Sequence, residues 1–421
     1  MQIAVVGGGV CGLTCAIALM KAGADVQVYE AANKFGEIGA GIGIGPNASR
    51  LLRKLGLMDD ILARGDKTHS EWFQWRSGLG GHEVLTEMSL RPGEEPFMVH
   101  RAAFLDALVK HVDHSRVHFR KRCTKVVESP TSRKITIHFA DGSTALADVV
   151  LGADGIKSAV RGAVTGLDPV ESITYSGTSC YRGLVPIERV KAAGIKTDFI
   201  TRPICFVGPR QHLIIFGVNA GKLVNVVAFG RNPNALPDEW ERGAPANPAV
   251  VTVTKEVPLR EFAAWGPDVV KLLGCIDEWS QWKINVVSPP LPTWVKGRVA
   301  LVGDAAHGML PHLGAGAGQG LEDAYLLARL LTHPQTCLAN IENVLRVYDE
   351  VRKPRVQRVW DDTYKMGNVV DGLGPSGLTP EGLTKDMGNP WLYVWGRGVD
   401  DDVLHAQFRL RDSGEYVSAS L

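Results

Sequence analysis

Gly7, Gly9 and Gly12, within Gly7-Gly8-Gly9-Val10-Cys11-Gly12, have the spacing with which a chain holds a dinucleotide by its phosphates. Gly7 permits the tight turn and Gly9 lets the backbone approach a pyrophosphate. Gly12 lets the following helix lie against the preceding strand. From Val10 onward that helix turns unpaired N–H groups and a partial positive charge toward the phosphates. Glu30 stands 18 positions beyond Gly12 (30 − 12), near the spacing of about 20 expected for a carboxylate on a ribose hydroxyl. A ligand-free glycine turn would look similar, but here strand, helix and acid are all in register.

Two later stretches could do related chemistry, Gly152-Ala153-Asp154-Gly155 and Gly303-Asp304-Ala305-Ala306-His307. Alone, each has a bland reading. Asp154-Gly155 is a common surface turn, Asp304 could cap a helix, and Arg101 could be a solvated residue at a helix start. His307 reads as structural. Their occurrence together and in order makes them a set. Among the seven cysteines no C-x-x-C pair occurs and the count is odd, so neither a disulfide framework nor a zinc site is expected. No metal constellation stands out.

These residues need a scaffold. Residues 2–30 read as strand, glycine turn, helix and strand, the βαβ unit of a parallel sheet. Helices are expected over 47–57 and 102–112, with strands over 117–119, 135–139 and 148–151. Asp141-Gly142 signals a hairpin between the last two. From about 176 to 285, short apolar runs joined by turns read as antiparallel sheet, ending at the crossover Ser288-Pro289-Pro290-Leu291-Pro292. Strand–turn–helix grammar then resumes at Arg298. A helix over 342–364 should break near Pro354, and the Gly/Pro-rich stretch 367–390 tells nothing. The expected domains are 1–175 with 289–370, an inserted 176–288, and a tail over 371–421 packed on both.

Composition narrows the class. With 45% hydrophobic and 22% charged residues the chain is of the globular kind. A formal net charge of +1 provides no attraction for nucleic acid or an anionic membrane. There is no apolar stretch of 18 residues for a membrane span and no leader-like start, so a cytoplasmic location is expected. Oligomeric state is unreadable; a homodimer is left open.

Together the three motifs resemble those of the single-component FAD-dependent aromatic hydroxylases of the salicylate hydroxylase type, over residues 2 to about 365. The resemblance implies an α/β fold: a Rossmann-type FAD-binding domain with a glutathione-reductase-like parallel sheet, and an inserted, mainly antiparallel substrate domain. It implies that Asp154 and Gly155 lie near the flavin pyrophosphate, that Asp304 meets the ribityl chain, and that Arg101 reaches the flavin. Gly314, Gly316 and Ala317 open a helix whose bare N–H groups could stabilise negative charge at the pyrimidine edge of reduced flavin. With a single G-x-G-x-x-G, NADH or NADPH is expected to visit and leave.

The substrate implied is a small aromatic acid or phenol, hydroxylated with O2; for a salicylate-type substrate, CO2 departs and a catechol forms. His212, heading the run Leu213-Ile214-Ile215-Phe216, matches a histidine near the phenolic oxygen. Its ordinary pKa near 6.5 suits that proton transfer. Tyr181-Arg182, Cys205-Phe206 and Pro311 are expected pocket walls. The rival readings are a flavin epoxidase, a hydroxylase of a non-aromatic natural product, and a flavin-binding scaffold without oxygen chemistry.

Overall fold

A strand buried on both faces requires layers above and below it, and the first strand meets that condition. Ile3, Ala4, Val5 and Val6 are all buried at 2% exposure or less. A computed structural model describes residues 1–36, 41–63, 71–128, 134–231 and 249–417. In it Gln2–Val6 lies inside a six-stranded sheet, in the order Val295–Lys296, Val299–Leu301, Val149–Gly152, Gln2–Val6, Asp25–Tyr29, Val117–His118. All neighbours run parallel except the first pair. Helix Val10–Lys21 follows the glycine turn and packs on helix Gly316–Leu331.

Four local expectations change. Asp141-Gly142 does form a hairpin, with Gly142 at φ 82°, but it joins Ile135–Phe139 to Thr144–Ala147. Val149–Gly152 instead pairs with Gln2–Val6, because its unbroken apolar run suits a strand covered on both faces. The helix expected over 47–57 ends at Lys54, and Gly56, at φ 65°, turns the chain into a separate helix Met58–Leu62. Helix Ile341–Val370 runs for 30 residues straight through Pro354. Proline inside a helix costs about 3 kcal/mol; here the buried flanking residues Val351, Arg352, Arg355 and Val356 hold both sides in place. Beyond it, the stretch without sequence signal folds into helices Pro380–Met387, Pro390–Gly396 and Val399–Asp412.

The second sheet has eight strands, in the order Val250–Thr254, Glu278–Val287, Ile173–Pro186, Leu223–Arg231, Gln211–Val218, Ile204–Gly208, Glu71–Ser77, Val84–Ser89. The expected boundaries 176–288 therefore need a correction: the last two strands come from residues 71–89. Trp72 and Trp75 are buried there, and Glu71–Ser77 pairs in parallel with Ile204–Gly208. Such pairing between remote segments leaves no local trace.

Helices Ile187–Ala192, Glu256–Glu261 and Pro267–Gly274 accompany one face of this sheet, whose core includes Phe199, Phe262, Val269, Leu272 and Trp279. Among the described residues no helix is long and apolar enough to cross a membrane.

Candidate active site

The first motif joins the other two at the start of helix Val10–Lys21: Ala153 closes on Gly7 and Gly12, and Gly303 and Gly320 close on Cys11. A Cβ on Gly303 would come within 3.0 Å of its Sγ, and one on Gly320 within 2.4 Å. Gly12 is as constrained, since a Cβ there would sit 2.0 Å from the Gly7 oxygen. At Gly7, φ is 105° and a Cβ would be 2.3 Å from the Ala153 oxygen. These glycines are required by contact between the motifs. Burial pushes the Cys11 thiol well up, and Asp304 and Asp323 add to that, so it fills the junction as a neutral group.

Gly9, Gly155 and Gly314 differ: a Cβ on any of them would meet no described residue within 4 Å. Bare backbone therefore faces open space at the mouth of the junction, where a phosphate-bearing ligand needs it. Gly155 and Gly314 have φ of 75° and 60°. The helix opening at Gly316, with Ala317 next, has no side-chain cap among the described residues, so its first N–H groups stay available.

Asp304 is exposed at the first position of the short helix Asp304–His307. Its turn is clamped from beneath. Arg161, fully buried, donates to the oxygens of Ala305 (2.8 Å), Asp304 (3.1 Å) and Ile156 (2.9 Å), tying the second motif to the third. Burial lowers its pKa to about 10, an effect Asp154 and Asp304 oppose. Asp323 accepts from the Gly303 N–H at 3.1 Å and meets His307 Nε2 at 2.6 Å, which makes His307 structural. Asp323 also pairs with Arg352 at 2.8 Å, and Arg352 bonds Glu322 and Asp402.

Two expected ligand residues are engaged elsewhere. The Asp154 carboxylate accepts from Ser158 Oγ (2.5 Å) and from the Ala159 and Val160 N–H groups (2.8 and 3.2 Å), capping the next helix. Burial raises its pKa. It shapes the turn and leaves Gly155 to face outward. Glu30 accepts from the Gly8 N–H at 2.6 Å and the Ala32 N–H at 2.7 Å. A carboxylate has lone pairs to spare for a hydroxyl. Arg101 opens helix Arg101–Val109, is exposed, and its charge acts on Cys11, which sets it beside the junction.

The second sheet turns its other face toward this junction. Cross-strand pairing arranges that face in rows: His212, Phe229, Cys180 and Trp282 in one, Ile214, Val227 and Arg182 in the next, Phe216, Asn225 and Leu184 in a third. His212 is 1% exposed and stacks on Phe229 with ring centroids 4.4 Å apart. Its Nδ1 lies 2.6 Å from Asp371 Oδ1, and the Arg231 Nε donates to Asp371 Oδ2 at 2.5 Å. Burial would raise the Asp371 carboxyl, but His212 and Arg231 outweigh it and hold it below its ordinary value.

Tyr181 and Phe206 are corrected. Successive strand residues point to opposite faces, and these two belong to the helix-covered core on the far side. The Tyr181 hydroxyl donates to Glu261 at 2.6 Å, away from the site. Pro311 is exposed in the loop beside His312, and its oxygen accepts from the Gly314 N–H at 2.9 Å.

Asp371, Arg231 and His312 escaped the sequence reading. The His312 ring sits 5.0 Å from that of His212, and neither of its buried nitrogens has a partner among the described residues. Burial, reinforced by His212, lowers its pKa to about 3, so it is neutral. Its position between the Asp304 turn and the Gly314 loop was a usable signal. For Asp371, in a Gly/Pro-rich stretch, there was none.

The FAD binding domain family matches residues 1–178 and 268–363. The chain is 38% identical to salicylate hydroxylase of Pseudomonas putida, over 97% of this chain and 95% of that protein. Its structure superposes on a salicylate hydroxylase substrate complex with TM-score 0.84 and 32% identity, covering 96% of this chain and 98% of the other. Klebsiella pneumoniae HpxO complexed with FAD and uric acid gives TM-score 0.73 at 27% identity, covering 96% and 95%. The glycine junction, with its open backbone and buried clamps, fits the FAD these comparisons bring with them. Motifs, geometry and likeness agree, and the chain belongs to the family of FAD-dependent aromatic monooxygenases.

Proposed function

We propose that the enzyme hydroxylates a small hydroxylated aromatic acid or phenol, and that a salicylate-type substrate is attacked at the carbon bearing the carboxylate, releasing CO2 and leaving a catechol. The cofactor would be held by Gly7, Gly9, Val10, Gly12 and Glu30 at one end, and by Arg101, Gly155, Asp304, Gly314, Gly316 and Ala317 toward the other. Bound FAD supplies acceptance of a hydride from NADH or NADPH and activation of O2 toward the aromatic ring.

The protein's own part is proton control. The observation that carries it is the 2.6 Å contact between His212 Nδ1 and Asp371. A carboxylate on Nδ1 keeps the proton there and leaves Nε2 as the basic nitrogen. His212 then takes the phenolic proton, and the phenolate directs electron density to the ring carbon attacked. Asp371 stabilises the imidazolium that forms, and Arg231 balances Asp371. Phe229, Ile214 and Val227 give the pocket an apolar floor that keeps water off the ring.

A panel of simple hydroxybenzoates tests this. Purified protein carrying FAD should oxidise NAD(P)H faster with at least one of them, and mass spectrometry should find a product with one added oxygen, or a catechol. Stimulated oxidation that yields only hydrogen peroxide with every compound would reject hydroxylation of this class.

A further inference from the structure

Helix Val399–Asp412, near the end of the chain, has two unlike faces. The inner one, Val399, Asp402, Val403, Ala406 and Leu410, is buried against helices Gly316–Leu331 and Ile341–Val370. A helix advances about 100° per residue, so Leu404 and Phe408, two positions either side of Ala406, point away from that face. They are 65% and 64% exposed, more than any other large apolar side chain among the described residues except Val417. Beside Phe408 the surface is grooved, with Val347 and Glu350 on one wall and His405 and Arg409 on the other. A leucine and a phenylalanine one turn apart and both in water mark a surface that meets something.

The charges flanking this pair point to the occupant. Asp401 and Arg411 lie on the same outward stripe, each five positions from Ala406, and both are exposed. Their neighbours are already paired within the chain: Asp400 with Lys54, Asp402 with Arg352 and Arg397, Arg409 with Glu350. Asp401 accepts the Gly398 N–H at 3.2 Å and has lone pairs to spare. Arg411 has no ion-pair partner among the described residues. An acid at the start of a helix and a base at its end suit the helix dipole, which accounts for the two signs but not for the exposed apolar pair between them. The stripe reads Asp, Leu, Phe, Arg at spacings of three, four and three, the seam of a helix pair. It is also its own complement. About a twofold axis beside Ala406, Asp401 of one copy faces Arg411 of the other, and Leu404 faces Phe408. A parallel pairing would set Asp401 on Asp401 and Arg411 on Arg411.

We propose that this stripe is the interface of a homodimer, in which the last helices of two copies pack antiparallel about a twofold axis beside Ala406. The same patch serves both copies, as a closed twofold assembly requires. Leu404 and Phe408 supply the apolar centre, and an Asp401–Arg411 pair at each end sets direction and register. The assignment goes beyond the hydroxylase reading and does not depend on it.

Sedimentation velocity of the FAD-loaded enzyme over a hundredfold range of concentration tests this. The wild type should shift from one chain to two. Phe408→Glu, which lies away from the cofactor junction, should keep its FAD and its circular dichroism and weaken association at least thirtyfold. Asp401→Lys and Arg411→Glu should each weaken it at least tenfold, since the first sets Lys on Arg and the second sets Asp on Glu. Mixed in equal amounts, these two variants should associate again, because every facing pair is then of opposite charge. Asp401 also caps the start of its helix, so a second mixture avoids changes of charge: Leu404→Cys with Phe408→Cys should crosslink on oxidation by diamide, faster than either variant alone and above the wild-type background set by exposed Cys337. A wild type that stays a single chain throughout overturns the proposal. So does a dimer that Phe408→Glu and Arg411→Glu leave unchanged, which would place the interface elsewhere. Failure of both mixtures rules out the antiparallel register.

Discussion

His212 Nδ1 and Asp371 Oδ1 stand 2.6 Å apart although 159 residues separate them along the chain, and each side chain is 1% exposed. Both residues, and so the dyad, lie outside the segments that the FAD binding domain match covers.

Replacing Asp371 by Asn keeps the shape but frees the Nδ1 proton to move, as an amide can donate as well as accept. Turnover of a phenolic acid should fall on the order of a hundredfold, with bound FAD retained. The pH profile of kcat should also change shape, whereas a merely structural defect would lower it uniformly.

His212→Ala should lower turnover by about two orders of magnitude while flavin content stays at the wild-type level. Steady-state NAD(P)H oxidation with product analysis measures it. Undiminished product formation would remove histidine from the proton path.

Gly320→Ala places a Cβ 2.4 Å from Cys11 Sγ and 3.0 Å from the Gly303 Cα. FAD binding should weaken at least tenfold, read by flavin fluorescence. Adding Cys11→Ala removes the sulfur and should restore part of the affinity. The Gly303 contact is backbone and cannot yield, so recovery should be incomplete.

Arg352 is fully buried among Glu322, Asp323 and Asp402. Arg352→Met leaves those carboxylates without their shared cation and should destabilise the fold by about 3–5 kcal/mol. A lowered melting temperature and weaker FAD retention should appear together, because Asp323 holds the Gly303 turn at 3.1 Å.

Acid should act on the same cluster. Burial alone would raise Glu322 and Asp323, but Arg352 and Arg355 on the first, and His307 and Arg352 on the second, hold both below their ordinary values of 4.5 and 3.8. A depressed folded-state pKa means the unfolded chain takes up the proton first. Their stabilisation is thus present at neutral pH and drains away as pH falls through about 4 and below. Melting temperature against pH should drop steeply in that window, and less steeply in a variant carrying Asp323→Asn.

The cofactor cradle was legible because the spacing of Gly7, Gly9 and Gly12 marks a turn, an open approach and a helix contact, although what crowds Gly7 is Ala153, far along the chain. Asp154 was legible as part of a motif, but its capping role follows from Ser158, Ala159 and Val160 in three dimensions. The hairpin at Gly142 was visible as a turn, while its second strand was misread, since Val149–Gly152, of the same length as Thr144–Ala147, is the more apolar run.

By its sequence alone this chain determined that a dinucleotide would be gripped by three glycine-bearing segments, because the glycines mark where backbone must come bare to a ligand or to another segment. The tertiary structure alone decided the pocket. Alternation along a strand says that residues two apart lie on one side, but which side faces the cofactor depends on where the helices settle, and that placed Tyr181 and Phe206 behind the sheet and Arg182 and Asn225 in front. It also decided that a proline-bearing helix would run unbroken and deliver Asp371 to His212, a meeting of two surfaces that no spacing along the chain encodes.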